Sequence, residues 1–97
     1  MVSVSFHVEA KAEYDAALAW YAARDTEAAD DFDAEVTRVT GMMAEFPELG
    51  VPFDRRHRCW LLKKYLYGLY YRFVAGGILV VAVSHASQKP GYWKKRV

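Results

Sequence analysis

Gly68-Leu69-Tyr70-Tyr71-Arg72-Phe73-Val74-Ala75-Gly76-Gly77-Ile78-Leu79-Val80-Val81-Ala82-Val83-Ser84-His85 decides the fold. Two runs rich in β-branched and aromatic residues flank Ala75-Gly76-Gly77, a glycine-rich turn signal. The segment therefore reads as an antiparallel hairpin with strands over 68–74 and 78–85. Side chains alternate between the two faces of a strand. With a two-residue loop, Leu69, Tyr71 and Phe73 share one wholly apolar face with Ile78, Val80 and Ala82. The other face carries Tyr70, Arg72, Leu79, Val81, Val83 and His85. That half-apolar second face calls for cover, either from the C-terminal tail or from a partner.

Working outward, residues 58–65 form a third strand-like run of the same composition. Before it, Pro47, Gly50 and Pro52 close a helical region. Phe32, Val36, Val39, Met43 and Phe46 recur at helical spacing and predict a helix to about residue 46. Asp25 and Thr26 supply a stop and a new N-cap. Upstream, Ala10, Tyr14, Ala17, Leu18 and Tyr21 mark one face of a first helix over about 9–24. The short connection makes the two helices an antiparallel hairpin. Val2-Ser3-Val4-Ser5-Phe6 alternates as a short strand. The expected fold is α+β: a short N-terminal strand, a helical hairpin packed on an antiparallel sheet of three C-terminal strands, and a short tail after Pro90-Gly91, all in one domain over residues 1–97.

The chain has 97 residues, 54% of them hydrophobic, 26% charged and 15% aromatic. Such a composition excludes disorder. The longest aliphatic run, 78–83, is far short of the roughly 20 residues that a bilayer span requires. The first residues lack the basic and apolar regions of a secretory signal, and Cys59 has no partner for a disulfide, so the expected location is the cytoplasm. Charge is divided unevenly. Residues 1–50 hold 11 acids and 3 bases, a net of −8, whereas residues 51–97 hold 1 acid, Asp54, and 10 bases, a net of +9. A basic half of this kind suits nucleic acid or an acidic protein.

The run 61–72, the aliphatic strand 78–83, Ser84-His85 and Lys89-Pro90-Gly91-Tyr92-Trp93 together resemble the ParE branch of the RelE/ParE toxin superfamily. Ala19-Trp20-Tyr21 and Phe32-Asp33-Ala34-Glu35-Val36 on the helices are similar too, so the likeness spans nearly the whole chain. The resemblance implies the toxin of a type II toxin–antitoxin pair. Its partner would be a ParD-like antitoxin with a ribbon-helix-helix N-terminus and an amphipathic C-terminal segment. ParE-type members poison DNA gyrase; RelE-type members cut messenger RNA on the ribosome. The chain departs from the pattern at Leu66, where proline is common, and at Ser87 and Gln88, where arginines are common. The second departure removes charge that a nuclease would use, which favours gyrase as the target.

Metal-free RNA cleavage needs a base, an acid and cations on the phosphate. The candidates are His85, Arg72, Tyr92 and Arg58, with Lys63 and Lys64 placed on opposite faces of a strand. A histidine at a strand end is more often a structural hydrogen-bonder than a base. His7, His57, His85 and Cys59 are scattered, so neither metal nor cofactor is expected. Trp60, Tyr70, Leu79 and Val81, with Arg58 and Arg72, form the expected antitoxin face. Tyr92, Trp93, Lys94, Lys95 and Arg96 form the expected target-binding element, a separable tail whose deletion lowers stability only modestly. Neither a membrane nor sequence-specific DNA binding by the chain alone is expected.

Overall fold

The computed structural model describes residues 1–97. In chain order it contains β1 (Ser3–Phe6), α1 (Val8–Ala22), α2 (Thr26–Glu45), β2 (Val51–Pro52), β3 (Arg58–Leu61), β4 (Tyr67–Val74) and β5 (Gly77–His85). The β4–β5 hairpin turns at Ala75-Gly76, with Val74 opposite Gly77. Gly76 takes φ +82°, a conformation open to glycine without steric cost. The helical hairpin also forms as the periodicity predicts: Asp25 caps α2 by accepting the Glu27 N–H at 3.0 Å. Phe32, Val36, Val39 and Met43 are buried beneath it, whereas Phe46, expected in the same stripe, is exposed.

All strands belong to one five-stranded sheet of order β1-β5-β4-β3-β2. Two features enlarge the predicted meander. Strand β1 pairs parallel with β5, Ser3 opposite Gly77 and Phe6 opposite Val80, which makes the sheet mixed. The two-residue β2 adds an outer edge against β3. Strand β3 also ends at Leu61, short of the predicted residue 65, because acids of α2 seize the segment that follows. Glu35 accepts the Lys63 N–H at 2.8 Å, and Asp31 accepts the Tyr65 hydroxyl at 2.7 Å and the Lys64 ammonium at 3.2 Å. Lys63 and Lys64 consequently lie in a turn and do not alternate across a strand.

The hairpin departs from simple alternation at one point. Tyr70 faces Ala82 but Tyr71 faces Val80, so Val81 is an extra residue, a β-bulge. Val80 and Val83 both pack beneath the helices with Leu69, Tyr71 and Ile78, while Val81 and Ala82 both face the opposite side. This exchanges the expected faces of Ala82 and Val83, and it carries His85 to the helix side, opposite Tyr67. Phe73, expected under the helices, is 50% exposed.

The second face is covered by the chain itself. After Pro90, Gly91 turns at φ +79°, and Trp93 drops onto Val81 and Ala82, where it is 1% exposed. Its ring lies 4.6 Å from Tyr70, 4.7 Å from His57 and 5.1 Å from Phe53. The tail is therefore part of the core and not a separable element. Replacing Trp93 by Ala is expected to cost about 3–5 kcal/mol, and truncation before Tyr92 at least as much. Phe73→Ala, at a half-exposed site, should cost less than about 1 kcal/mol. Urea unfolding of the three variants measures the ranking; a truncated chain as stable as the parent would contradict it.

Candidate functional site

The tail is fastened at a place where the sheet lacks a strand. Strand β1 ends at Phe6, and the His7 N–H makes the last backbone bond to this edge of β5, at the Val80 carbonyl, 2.9 Å. Further along, Glu13 of α1 accepts the Val83 N–H at 3.0 Å, and Arg96 donates to the Val81 carbonyl at 2.9 Å. Arg96 also forms a fork on Glu13 at 2.9 and 3.0 Å, and the Tyr92 hydroxyl donates to the same carboxylate. Charge-assisted bidentate pairing is strong and directional. Burial, reinforced by the bond to Glu13, pushes the Tyr92 hydroxyl up to about 12.

The loop before β3 is equally fixed. Asp54 Oδ1 accepts the N–H groups of Arg56 and His57 at 2.8 Å each and the His57 ring at 2.9 Å. The His57 carbonyl accepts the N–H of Phe53 and of Asp54. Although burial opposes it, the bonds from Arg56 and His57 hold the Asp54 carboxyl below its ordinary value. Phe53 and His57 support Trp93 from beneath, while Arg55 and Arg56 point outward, exposed.

Two hollows open at the far end of the sheet. One, of about 490 Å³, lies between α1 and the ends of β4 and β5, with Ala16, Ala17 and Trp20 on the helix side and Tyr67 and His85 on the sheet side. The other, of about 430 Å³, is bounded by the β3–β4 turn and includes Lys63, Lys64, Tyr70 and His85. His85 borders both. Its Nδ1 accepts the Ser87 N–H at 3.0 Å and lies 2.7 Å from the Ser87 hydroxyl, leaving Nε2 free.

The other nuclease candidates do not join His85. Arg72 is opposite Leu79, six residues before His85 and on the other face, about 20 Å away at the usual strand rise. Arg58 is on the helix face opposite Tyr71, where it donates to the carbonyls of Glu48 and Gly50 at 3.0 and 2.9 Å. Tyr92 is held by Glu13. Of two catalytic proton carriers, only His85 remains available, with Lys63 and Lys64 nearby.

The expected antitoxin face is likewise divided. Tyr70, Arg72, Leu79 and Val81 share the second face, but Val81 is fully buried beneath Trp93. Trp60, opposite Leu69, lies with Arg58 on the helix side. Of the tail residues expected to bind the target, Trp93 and Arg96 face inward, Tyr92 is half-buried, and Lys94 and Lys95 are exposed. The sequence reading missed Glu13, a carboxylate on a helix whose partners lie some 80 residues away.

A family model described as the ParE toxin of the type II toxin–antitoxin system parDE matches residues 4–90. A solved structure, a chromosomal ParDE TA system from P. aeruginosa, superposes with a TM-score of 0.75, covering 88% of this chain and 96% of that one at 16% identity, a likeness of fold. No curated protein sequence matches the chain.

The hydroxyls of Tyr65, Tyr70 and Tyr92 are all pushed up to about 12, each chiefly by burial. The native chain thus keeps protons that the unfolded chain releases near pH 10. The stabilisation is intact below about pH 10 and is lost as pH rises toward about 12. Urea midpoints measured from about pH 8 to 11.5 should fall steeply above 10, and Tyr92→Phe should flatten that slope. A midpoint independent of pH in this window would contradict the assignment.

Proposed function

The chain belongs to the ParE toxin family of type II toxin–antitoxin systems, and from that premise we propose that it arrests growth by inhibiting DNA gyrase, a cytoplasmic target, and is kept silent by a ParD-like antitoxin. The observation that carries the choice of gyrase over messenger RNA is the scatter of the proton carriers and of the cations that would hold the phosphate. Arg58 and Tyr92 are occupied by Gly50 and Glu13, and Arg72 is remote from His85. General acid–base cleavage needs both carriers at one phosphodiester. An inhibitor that works by binding needs none. No helix is long and apolar enough to cross a membrane.

The antitoxin reading changes with the structure. Because the tail already covers the second face, we assign the antitoxin's amphipathic segment to the hollow beside α1, where the 52% exposed Trp20 stands next to the exposed Ala16. A large aromatic beside a small residue suits the anchors of a docked helix. On the second face Arg72 keeps a side chain bound to no carboxylate, and Tyr70 and Leu79 offer only partly buried flanks. Lys94 and Lys95 are the parts of the tail free to meet the target.

Gyrase-dependent DNA cleavage should rise when the toxin is added to purified gyrase and relaxed or supercoiled plasmid, with no cuts in translated messages. Mapped 5′ ends clustered at codon positions after induction would replace this reading with the nuclease. Ala16→Arg with Trp20→Ala should weaken a cognate antitoxin by at least about 10²-fold, the scale of a lost interface anchor. Arg72→Ala should change it by less than about 3-fold. The reverse order would move the antitoxin to the second sheet face.

A further inference from the structure

The uneven charge of the sequence becomes an uneven charge in space. The acids of residues 1–50 lie mainly on α1 and α2, which cover one face of the sheet. On the other face, the 53–57 turn and the tail meet: Lys94 Nζ is 5.4 Å from the Phe53 ring and 4.0 Å from Asp54. Arg55 and Arg56 project from that turn, Lys95 follows Lys94, and Arg72 shares the face two residues beyond Tyr70, whose ring is 5.4 Å from Phe53. No carboxylate pairs with Arg55, Arg56, Arg72 or Lys95. Asp54, the one acid of residues 51–97, is occupied by the backbone of its own turn and by His57.

We propose that this face, presented by Arg55, Arg56, Arg72, Lys94 and Lys95, binds the phosphodiester backbone of duplex DNA without reading its sequence. Three observations decide the partner. Arginine matches phosphate oxygens with a planar fork, and here two adjacent arginines are held on a turn whose backbone is fixed before any ligand arrives. The aromatics of the face are packed on one another: Trp93 is 1% exposed, and Phe53, 37% exposed, lies against Tyr70 and Trp93. That leaves no open aromatic ledge beside these cations on which unpaired bases could stack. The acidic helices lie behind the sheet, so a duplex can approach the cations without meeting them. The choice of DNA over RNA rests on the gyrase reading, since gyrase works on a DNA duplex; the cationic platform itself does not.

The test uses the full chain alone, so its failure is separable from failure to inhibit gyrase. Fluorescence anisotropy with a mixed-sequence DNA duplex of about 20 base pairs should show binding near 50 mM salt that weakens by about 10²-fold at 200 mM, the behaviour of roughly four neutralised phosphates. Arg55→Gln with Arg56→Gln, both exposed and without side-chain partners, should flatten the logarithmic salt slope by about 1.8. Arg38→Gln, which removes a paired cation of α2, should leave the slope unchanged. Absence of binding at low salt, a salt slope that the arginine pair does not affect, or an equal effect of Arg38→Gln would overturn the proposal. So would tighter binding of an RNA duplex, of single-stranded RNA or of polyglutamate of matched charge.

Discussion

Strand β5 outruns its parallel neighbour, and the backbone groups left at that edge set the terms for much of the molecule. Beyond Val80 no strand remains to pair with β5 on the β1 side, yet the Val83 N–H and the Val81 carbonyl still need partners. Glu13 and Arg96 supply them, and because those two side chains also grip one another, the edge is completed by an ion pair drawn from opposite ends of the chain. The bulge at Val81 belongs to the same arrangement. It turns two consecutive small apolar side chains to the second face, and the indole of Trp93 fills the space above them.

Fastening the tail has consequences for function. Trp93 closes the second face over Val81 and Ala82, so that the middle of this face is no longer an apolar docking surface. On the other side of the edge, beside Trp20 and Ala16 on α1, an apolar hollow stays open. The fold thereby separates two kinds of contact, an apolar hollow bordered by α1 and a basic platform behind the sheet. An antitoxin and a target can address the same small protein through different chemistry.

Much of this was legible in the residues. Phe32, Val36, Val39 and Met43 announced the buried stripe of α2 by spacing alone, Asp25 announced its cap, and Gly76 the hairpin turn. The likeness to ParE toxins was legible in the ordered aromatic strand, aliphatic strand and Pro-Gly-Tyr-Trp segment. What failed had physical reasons. A bulge inserts one residue without a compositional sign, so Ala82 and Val83 were placed on the wrong faces. Glu13 on a helix looks like an ordinary solvated acid until Arg96 is brought to it across the fold. Trp93 among Lys94, Lys95 and Arg96 looks like a contact point, whereas an indole packed on Tyr70 and edge-on to His57 is worth more to the core. Lys63 and Lys64 looked strand-borne because the carboxylates of Asp31 and Glu35 that end the strand belong to another element.

The central claim, that Glu13 and the tail replace a missing strand, is tested most directly by hydrogen exchange at the Val83 amide. The account predicts that this amide is protected to the same degree as the paired amides of β4 and β5, and that Glu13→Gln, which keeps shape but removes charge, lowers its protection while sparing Tyr71 and Val80. A Val83 amide that exchanges in the parent chain as fast as those of the exposed 86–89 segment would contradict it.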